Sequence, residues 1–229
     1  MGNIKVKHPL ICLVAVMSFA ALSSEGRAEE HKPHPHPPVL KPIVSTPDPV
    51  KLTEDEKAQL NKGEPVLRQS KDDSGGAGIA IQTIDAPPSV VWKTILAYDK
   101  YKDWVDNVKS CKVYKKSGIL WYVEMTSKFM WVSSTLYTIN RIRKKMNYMS
   151  WTLDRNRTSD VRDMIGYWLV LESPDNPNKT RLEYSTELVL GGVPDFIVNI
   201  LTKDALVDGT AWVKKRSEEA FQSKNEAKK

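Results

Sequence analysis

From Val108 to Leu190 the chain offers one strand-like stretch after another, separated by turns too short to hold a helix, and then closes on a single long helical segment. That order constrains the fold more than any other feature. Its clearest part is TRLEYSTELVLGGVPDFIVNILTKDALVDGTAWVKKRSEEAF (180–221). Here Leu182, Tyr184, Thr186, Leu188 and Leu190 alternate with Arg181, Glu183, Ser185 and Glu187, the period of a half-buried strand. Gly191-Gly192 ends the alternation, and Pro194 stands where a first helical turn tolerates it. The helix beyond is expected to place Ile197, Ile200, Leu201, Ala205 and Ala211 near one face. Lys214, Lys215 and Arg216 lie toward its negative pole. Gly209 falls inside it at a cost of about 1 kcal/mol relative to Ala; it either permits close packing or bending, or is simply tolerated. A strand run feeding one long helix suggests a helix gripped by a curved sheet.

The same reading places strands near 108–116, 119–129, 132–143, 148–154, 161–172 and 180–190. Short turn-like separators, including the six residues 173–178, make the run an antiparallel meander. Upstream, 65–70 and 78–85 read as a hairpin around Asp72-Asp73-Ser74-Gly75-Gly76. Pro87-Pro88-Ser89 opens a helix to Ala97, and Asp99–Val105 is a second short helical piece carrying Tyr101 and Trp104. Thr53 and Glu56 form a capping box that starts a helix to about Asn61.

The first 28 residues read as a secretory signal: Lys5 and Lys7 precede the apolar stretch Pro9–Leu22, and Gly26-Arg27-Ala28 offers a cleavage site. The apolar run is shorter than the ~20 residues a spanning helix needs; an uncleaved anchor is the competing reading. The expected location is the periplasm or the exterior, after cleavage near Ala28. Residues 29–51 are Pro-rich and hold His31, His34 and His36, every histidine of the mature chain. They are expected to form an extended, disordered spacer, with metal capture by the histidines as the alternative. Residues 52–223 form the expected domain and 224–229 a basic tail. After cleavage Cys111 is the sole cysteine, so no internal disulfide is available; it reads as a packed strand residue. The net charge of +6 is carried by scattered residues, and no nucleic-acid partner is expected.

Four stretches resemble the START-like (SRPBCC) superfamily, which includes coenzyme-Q-binding and polyketide cyclase/dehydrase families. They are LTEDEKAQLNKGEPVLRQ (52–69), IDAPPSVVWKTILAYDKYKDWVDNVKSCKV (84–113), GYWLVLESPDNPNKTRLEY (166–184) and GGVPDFIVNILTKDAL (191–206). The resemblance implies an α+β helix-grip fold: a curved antiparallel β-sheet wrapped around a long C-terminal helix, with two short helices after the first strands. It implies a hydrophobic ligand between sheet and helix, a lipid, isoprenoid, quinone or sterol-like molecule, bound or transferred by a monomer in transient contact with a membrane. A cyclase-like enzyme and a protein-interaction module are the alternatives; the superfamily hosts several activities on one scaffold.

Alternation then selects a cavity wall: Trp121, Val123 and Met125; Met149, Trp151 and Leu153; Met164, Gly166 and Trp168; Leu182, Tyr184 and Thr186; with Ile197, Ile200 and Leu201 from the helix. Aromatic rings and flexible Met suit an apolar ligand, although the same side chains could simply pack as core. The candidate ligand-binding set is Trp121, Met125, Met149, Trp151, Arg162, Met164, Trp168, Tyr184, Ile197 and Leu201. Arg162, in phase with Met164 and Trp168, is the candidate anchor for a ligand oxygen, or else a solvated rim residue. No cofactor or metal is expected. With no histidine in residues 52–223 and no nucleophile–base motif, catalysis has little support. Asp160, Arg162 and Tyr184 are the groups a cyclase-like reaction would use.

Overall fold

A computed structural model describes residues 31–72, 75–129, 132–190 and 195–227. The signal segment and the Gly191-Gly192 break with Pro194 lie outside the described residues, as do the side chains of Ile197, Ile200, Leu201 and Ala205. The elements run α1 (Glu54–Asn61), β1 (Val66–Asp72), β2 (Gly75–Ile84), α2 (Pro88–Ile95), α3 (Tyr101–Trp104), β3 (Val108–Ser117), β4 (Leu120–Phe129), β5 (Val132–Arg143), β6 (Tyr148–Leu153), β7 (Asp163–Ser173), β8 (Asn176–Val189) and α4 (Asp195–Glu226). The strands form one antiparallel sheet in the order β1-β2-β8-β7-β6-β5-β4-β3. The meander from β3 to β8 thus returns beside the opening hairpin, and α4 packs over β2, β8 and α2. This is the α+β helix-grip architecture.

Local chemistry accounts for most boundaries. Thr53 accepts from the Glu56 N–H while the Glu56 side chain accepts from the Thr53 N–H, so two of the backbone donors at the start of α1 are satisfied. The proline at its first position pre-sets α2, which buries Val91, Trp92, Thr94 and Ile95. The turn between β7 and β8 is tighter than the expected six-residue separator, since β8 begins at Asn176. Pro177 is tolerated because β8 there extends beyond β2, whose last partner is Thr180, so little ladder is lost.

In the described half of α4 the buried positions are Leu206, Thr210, Trp212, Val213 and Ser217, and Ala211 is exposed. The face expected to include Ala211 is therefore corrected. Leu206, Thr210, Val213 and Ser217 follow a 4-3-4 spacing, and Leu206 settles onto Gly78 of β2, where an added Cβ would lie 2.2 Å from its Cδ1. Ser217 Oγ meets Thr94 Oγ1 of α2 at 3.0 Å. The helix continues through Glu226, so the expected basic tail is helical over its first three residues.

The expectation of a disordered spacer is also corrected. The compact unit starts at His31, and residues 31–51 lie as an extended strap held by the sheet. Buried Asp163 accepts from the N–H groups of Val39 (2.7 Å) and Leu40 (2.8 Å), and buried Glu183 accepts from that of Val50 (3.1 Å). Arg143, Arg155 and Arg181 donate to the carbonyls of Val44, His36 and Val50. Ile43 packs on Tyr148, Tyr167 and Leu169, a small apolar cluster separate from the main core. Prolines make this docking inexpensive: they lack the N–H that burial would orphan, and they restrict the free chain in advance. His34 is engaged at both ring nitrogens, with Ser159 N–H (3.3 Å) and the Arg162 carbonyl (3.0 Å). Among the described residues no group of three or more His, Cys, Asp or Glu is arranged to hold a metal.

Candidate functional site

Register turns the alternation of single strands into a continuous wall. Met149, Trp168 and Tyr184 stand opposite one another across β6, β7 and β8, and the next row runs Asn140, Trp151, Gly166, Thr186. Gly166 makes room for the indole beside it: a Cβ there would lie 2.2 Å from Trp151 Cζ2. Trp151 and Tyr184 stack at 5.7 Å between centroids, and Trp168 meets Tyr184 at 4.4 Å. Above this wall α4 comes close at Gly209, where a Cβ would sit 3.0 Å from Tyr184 Cε1. Gly209 is therefore a close-packing position, the first of the readings its sequence context allowed.

Sheet and helix do not fill the space between them. A cavity of about 230 Å³ remains. Its floor comprises Met149, Trp151, Met164, Trp168 and Tyr184, and one wall is formed by Cys111, Val123, Met125, Leu136, Thr138 and Asn140. Tyr98, Tyr101, Gly209 and Trp212 close it from the helical side. Tyr101 packs edge-on against Trp212 at 4.8 Å, and its hydroxyl donates to the Ile95 carbonyl at 2.5 Å. The rim is the loop 105–107 with exposed Asp106 and Asn107. Asn107 adopts φ 65°, a left-handed conformation that Asn takes more readily than most residues, and its carbonyl accepts from Lys128 N–H at 2.7 Å.

The lining is electrically quiet. Burial pushes the Tyr184 hydroxyl up to about 12, with a smaller opposing pull from Thr186. Burial likewise raises Tyr98 and Tyr101, and it lifts the Cys111 thiol to about 12, helped by the nearby Glu124 carboxylate. These groups are neutral at ordinary pH, because burial in a low-dielectric site disfavours the anion.

The structure sorts the sequence-selected residues. Met125, Met149, Trp151, Met164, Trp168 and Tyr184 line the cavity together. Trp121 packs at its margin, 6.2 Å from the Tyr98 ring and under Lys116 Nζ (3.6 Å), without lining it. Arg162 does not reach inward, which corrects the expected anchor: it is exposed just ahead of β7, and its backbone is occupied by Val189, His34 and Arg155. β7 starts at Asp163, two residues after the expected 161, so the strand alternation does not extend to Arg162. Asp160 is exposed as well, accepting from the Thr135 N–H at 2.6 Å, so Asp160, Arg162 and Tyr184 do not converge on one site. Tyr98, Leu136, Thr138, Asn140 and Trp212 were not selected from the sequence. The alternation of β5 could have supplied Leu136, Thr138 and Asn140; nothing local marks Tyr98.

A curved antiparallel sheet holding an apolar cavity against a long closing helix defines the START-type, helix-grip class of ligand-binding folds. The chain belongs to the polyketide cyclase / dehydrase and lipid transport family, whose model matches residues 80–222. Three solved structures agree with the fold. A STAR-related lipid transfer protein of Xanthomonas axonopodis superposes with a TM-score of 0.55 at 10% identity, over 73% of this chain and 96% of that one. A Thermus thermophilus protein gives 0.52 at 18% identity, over 63% and 96%. A START superfamily protein of Mycobacterium smegmatis gives 0.51 at 14% identity, over 68% and 98%. No curated protein matches the chain. The family match begins at residue 80, so the strap and α1 precede the matched region.

Proposed function

We propose that this protein is an exported, non-catalytic carrier for a compact apolar molecule, held in the cavity between the sheet and α4. The observation that carries the reading is the cavity itself, walled by aromatic and Met side chains, with no shared acid–base set among the described residues. Size narrows the ligand. An apolar cavity of ~150 Å³ accommodates one benzene ring, so about 230 Å³ suits one or two rings or a short isoprenoid segment. A longer lipid would need the loop 105–107 or the start of α4 to move aside. Flexible Met125, Met149 and Met164 suit a wall that adapts to its ligand. Export rests on the amino-terminal signal pattern. Transient contact with a membrane is how such a monomeric carrier would load.

The rival cyclase-like reading would join Tyr184 to Asp160 and Arg162, and the exposure of the latter two weakens it. The test is native mass spectrometry with organic extraction on the mature chain (from Glu29) purified from its own host. A co-purifying apolar molecule that is lost in Met125→Arg and Met164→Arg supports the carrier. These two lining residues are half-buried, so a long charged side chain can reach water without unfolding the sheet. An empty protein that also takes up nothing from vesicles would sink it.

A further inference from the structure

We propose that Asn140 makes the cavity selective for ligands carrying a hydrogen-bond donor, a phenol or alcohol on an otherwise apolar ring system. The inference rests on the cavity being a ligand site and specifies what that ligand must present. Asn140 lies on the inner face of β5, between Trp121 of β4 and Trp151 of β6 in the cross-strand row, and is only 5% exposed. Its Nδ2 donates to Thr138 Oγ1 at 2.9 Å and reaches the Trp121 carbonyl at 3.5 Å. Thr138 Oγ1 could serve either amide atom, but a peptide carbonyl repels a second oxygen, which favours the orientation with the nitrogen toward Trp121. The acceptor Oδ1 is then left over, and among the described residues no donor reaches it. Asn140 lines the cavity, and an amide acceptor that faces largely apolar walls gains a hydrogen bond when a ligand donor meets it.

Tyr98 adds a complementary group. This residue also lines the cavity, and among the described residues its hydroxyl's only partner is the Met149 thioether at 3.7 Å, a weak acceptor. A ligand hydroxyl can give its proton to Asn140, while a ligand oxygen can accept from Tyr98. A ketone or ether oxygen set against Asn140 would place two acceptors together. The chemistry therefore discriminates a hydroxylated ring from its alkylated or oxidised counterpart, the asymmetry that a hydrogen-bonding site imposes.

Two-ring probes of matched size test this: 2-naphthol, its methyl ether and naphthalene, titrated by calorimetry and by quenching of cavity tryptophan fluorescence. The wild-type chain should bind naphthol roughly ten-fold more tightly than either partner, the equivalent of one hydrogen bond to a buried acceptor. Asn140→Leu, similar in shape but without the acceptor, should erase that preference while still binding naphthalene. Equal affinity for all three probes in the wild type overturns the role of Asn140 and leaves the cavity reading intact, as does a preference that survives in Asn140→Leu. Failure of every probe to bind the wild type overturns the ligand site itself and this inference with it. Because the ether comparison needs no substitution, it decides the matter even if Asn140→Leu does not fold.

Discussion

Asp163→Ala removes the carboxylate that ties the strap to the sheet. Asp163 is 2% exposed and accepts from Val39 N–H (2.7 Å), Leu40 N–H (2.8 Å) and Met164 N–H (2.9 Å), and it pairs with Arg155. Hydrogen bonds to a charged acceptor are worth about 1.5–3 kcal/mol each, but they are not additive, and the strap can relax into water once released. Breaking a buried pair by removing one partner costs about 3–5 kcal/mol. Arg155 is about a quarter exposed and keeps its bond to the Arg162 carbonyl, so the lower end of that range applies. At about 2–4 °C per kcal/mol for a domain of this size, the melting temperature should fall by roughly 6–12 °C. Hydrogen exchange supplies the local readout. The amides of Val39 and Leu40 should lose protection, whereas those of Trp168 and Tyr184 should change only as far as global stability does. A melting temperature within about 2 °C of wild type, together with unchanged exchange at 39–40, would refute the idea that the carboxylate holds the strap.

Gly166→Ala sets a Cβ against the Trp151 indole and the Ser185 carbonyl; it should cost about 1–3 kcal/mol as overpacking and push Trp151 toward the cavity, lowering probe affinity, so unchanged urea midpoint and binding would count against the close approach. Burial and Glu124 raise the Cys111 thiol to about 12 from an ordinary 9.0; alkylation by iodoacetamide at pH 8 should run about two to three orders of magnitude slower than for a free thiol and keep climbing through pH 9–10. Levelling near pH 9 would contradict this. Glu183 is raised by burial, with Arg181 and the Val50 N–H pulling the other way. A carboxyl whose folded pKa exceeds its unfolded one favours folding at low pH, and that contribution fades as pH rises from 4.5 through the raised value. Glu183→Gln retains an acceptor for Val50 without the charge, so denaturant titrations from about pH 4 to 8 should show stability shifting in favour of the variant. A flat or opposite trend would reject the assigned direction.

What the sequence determined by itself was everything that depends on neighbours along the chain. Alternation marked the six strands of the meander and put Met149, Trp151, Met164, Trp168 and Tyr184 on one face, because successive strand side chains must point to opposite sides. The capping box marked α1, and Pro87-Pro88 the start of α2, since each satisfies or removes donors within a few residues. Tertiary structure alone decided which faces meet and what each polar group finds there. The strap's donors end on Asp163 and Glu183, both more than 120 positions away, and the spacing along the chain carries no record of that partnership. Arg162 shared the phase of the cavity wall yet stayed outside, because β7 begins only at Asp163. Asn140 looked like an ordinary polar strand residue until register set it between two tryptophans, with its amide nitrogen on Thr138 and no donor for its oxygen among the described residues. Local sterics fix the direction in which a side chain leaves the backbone, but its surroundings depend on curvature and register across the whole sheet, and a cavity exists only in those.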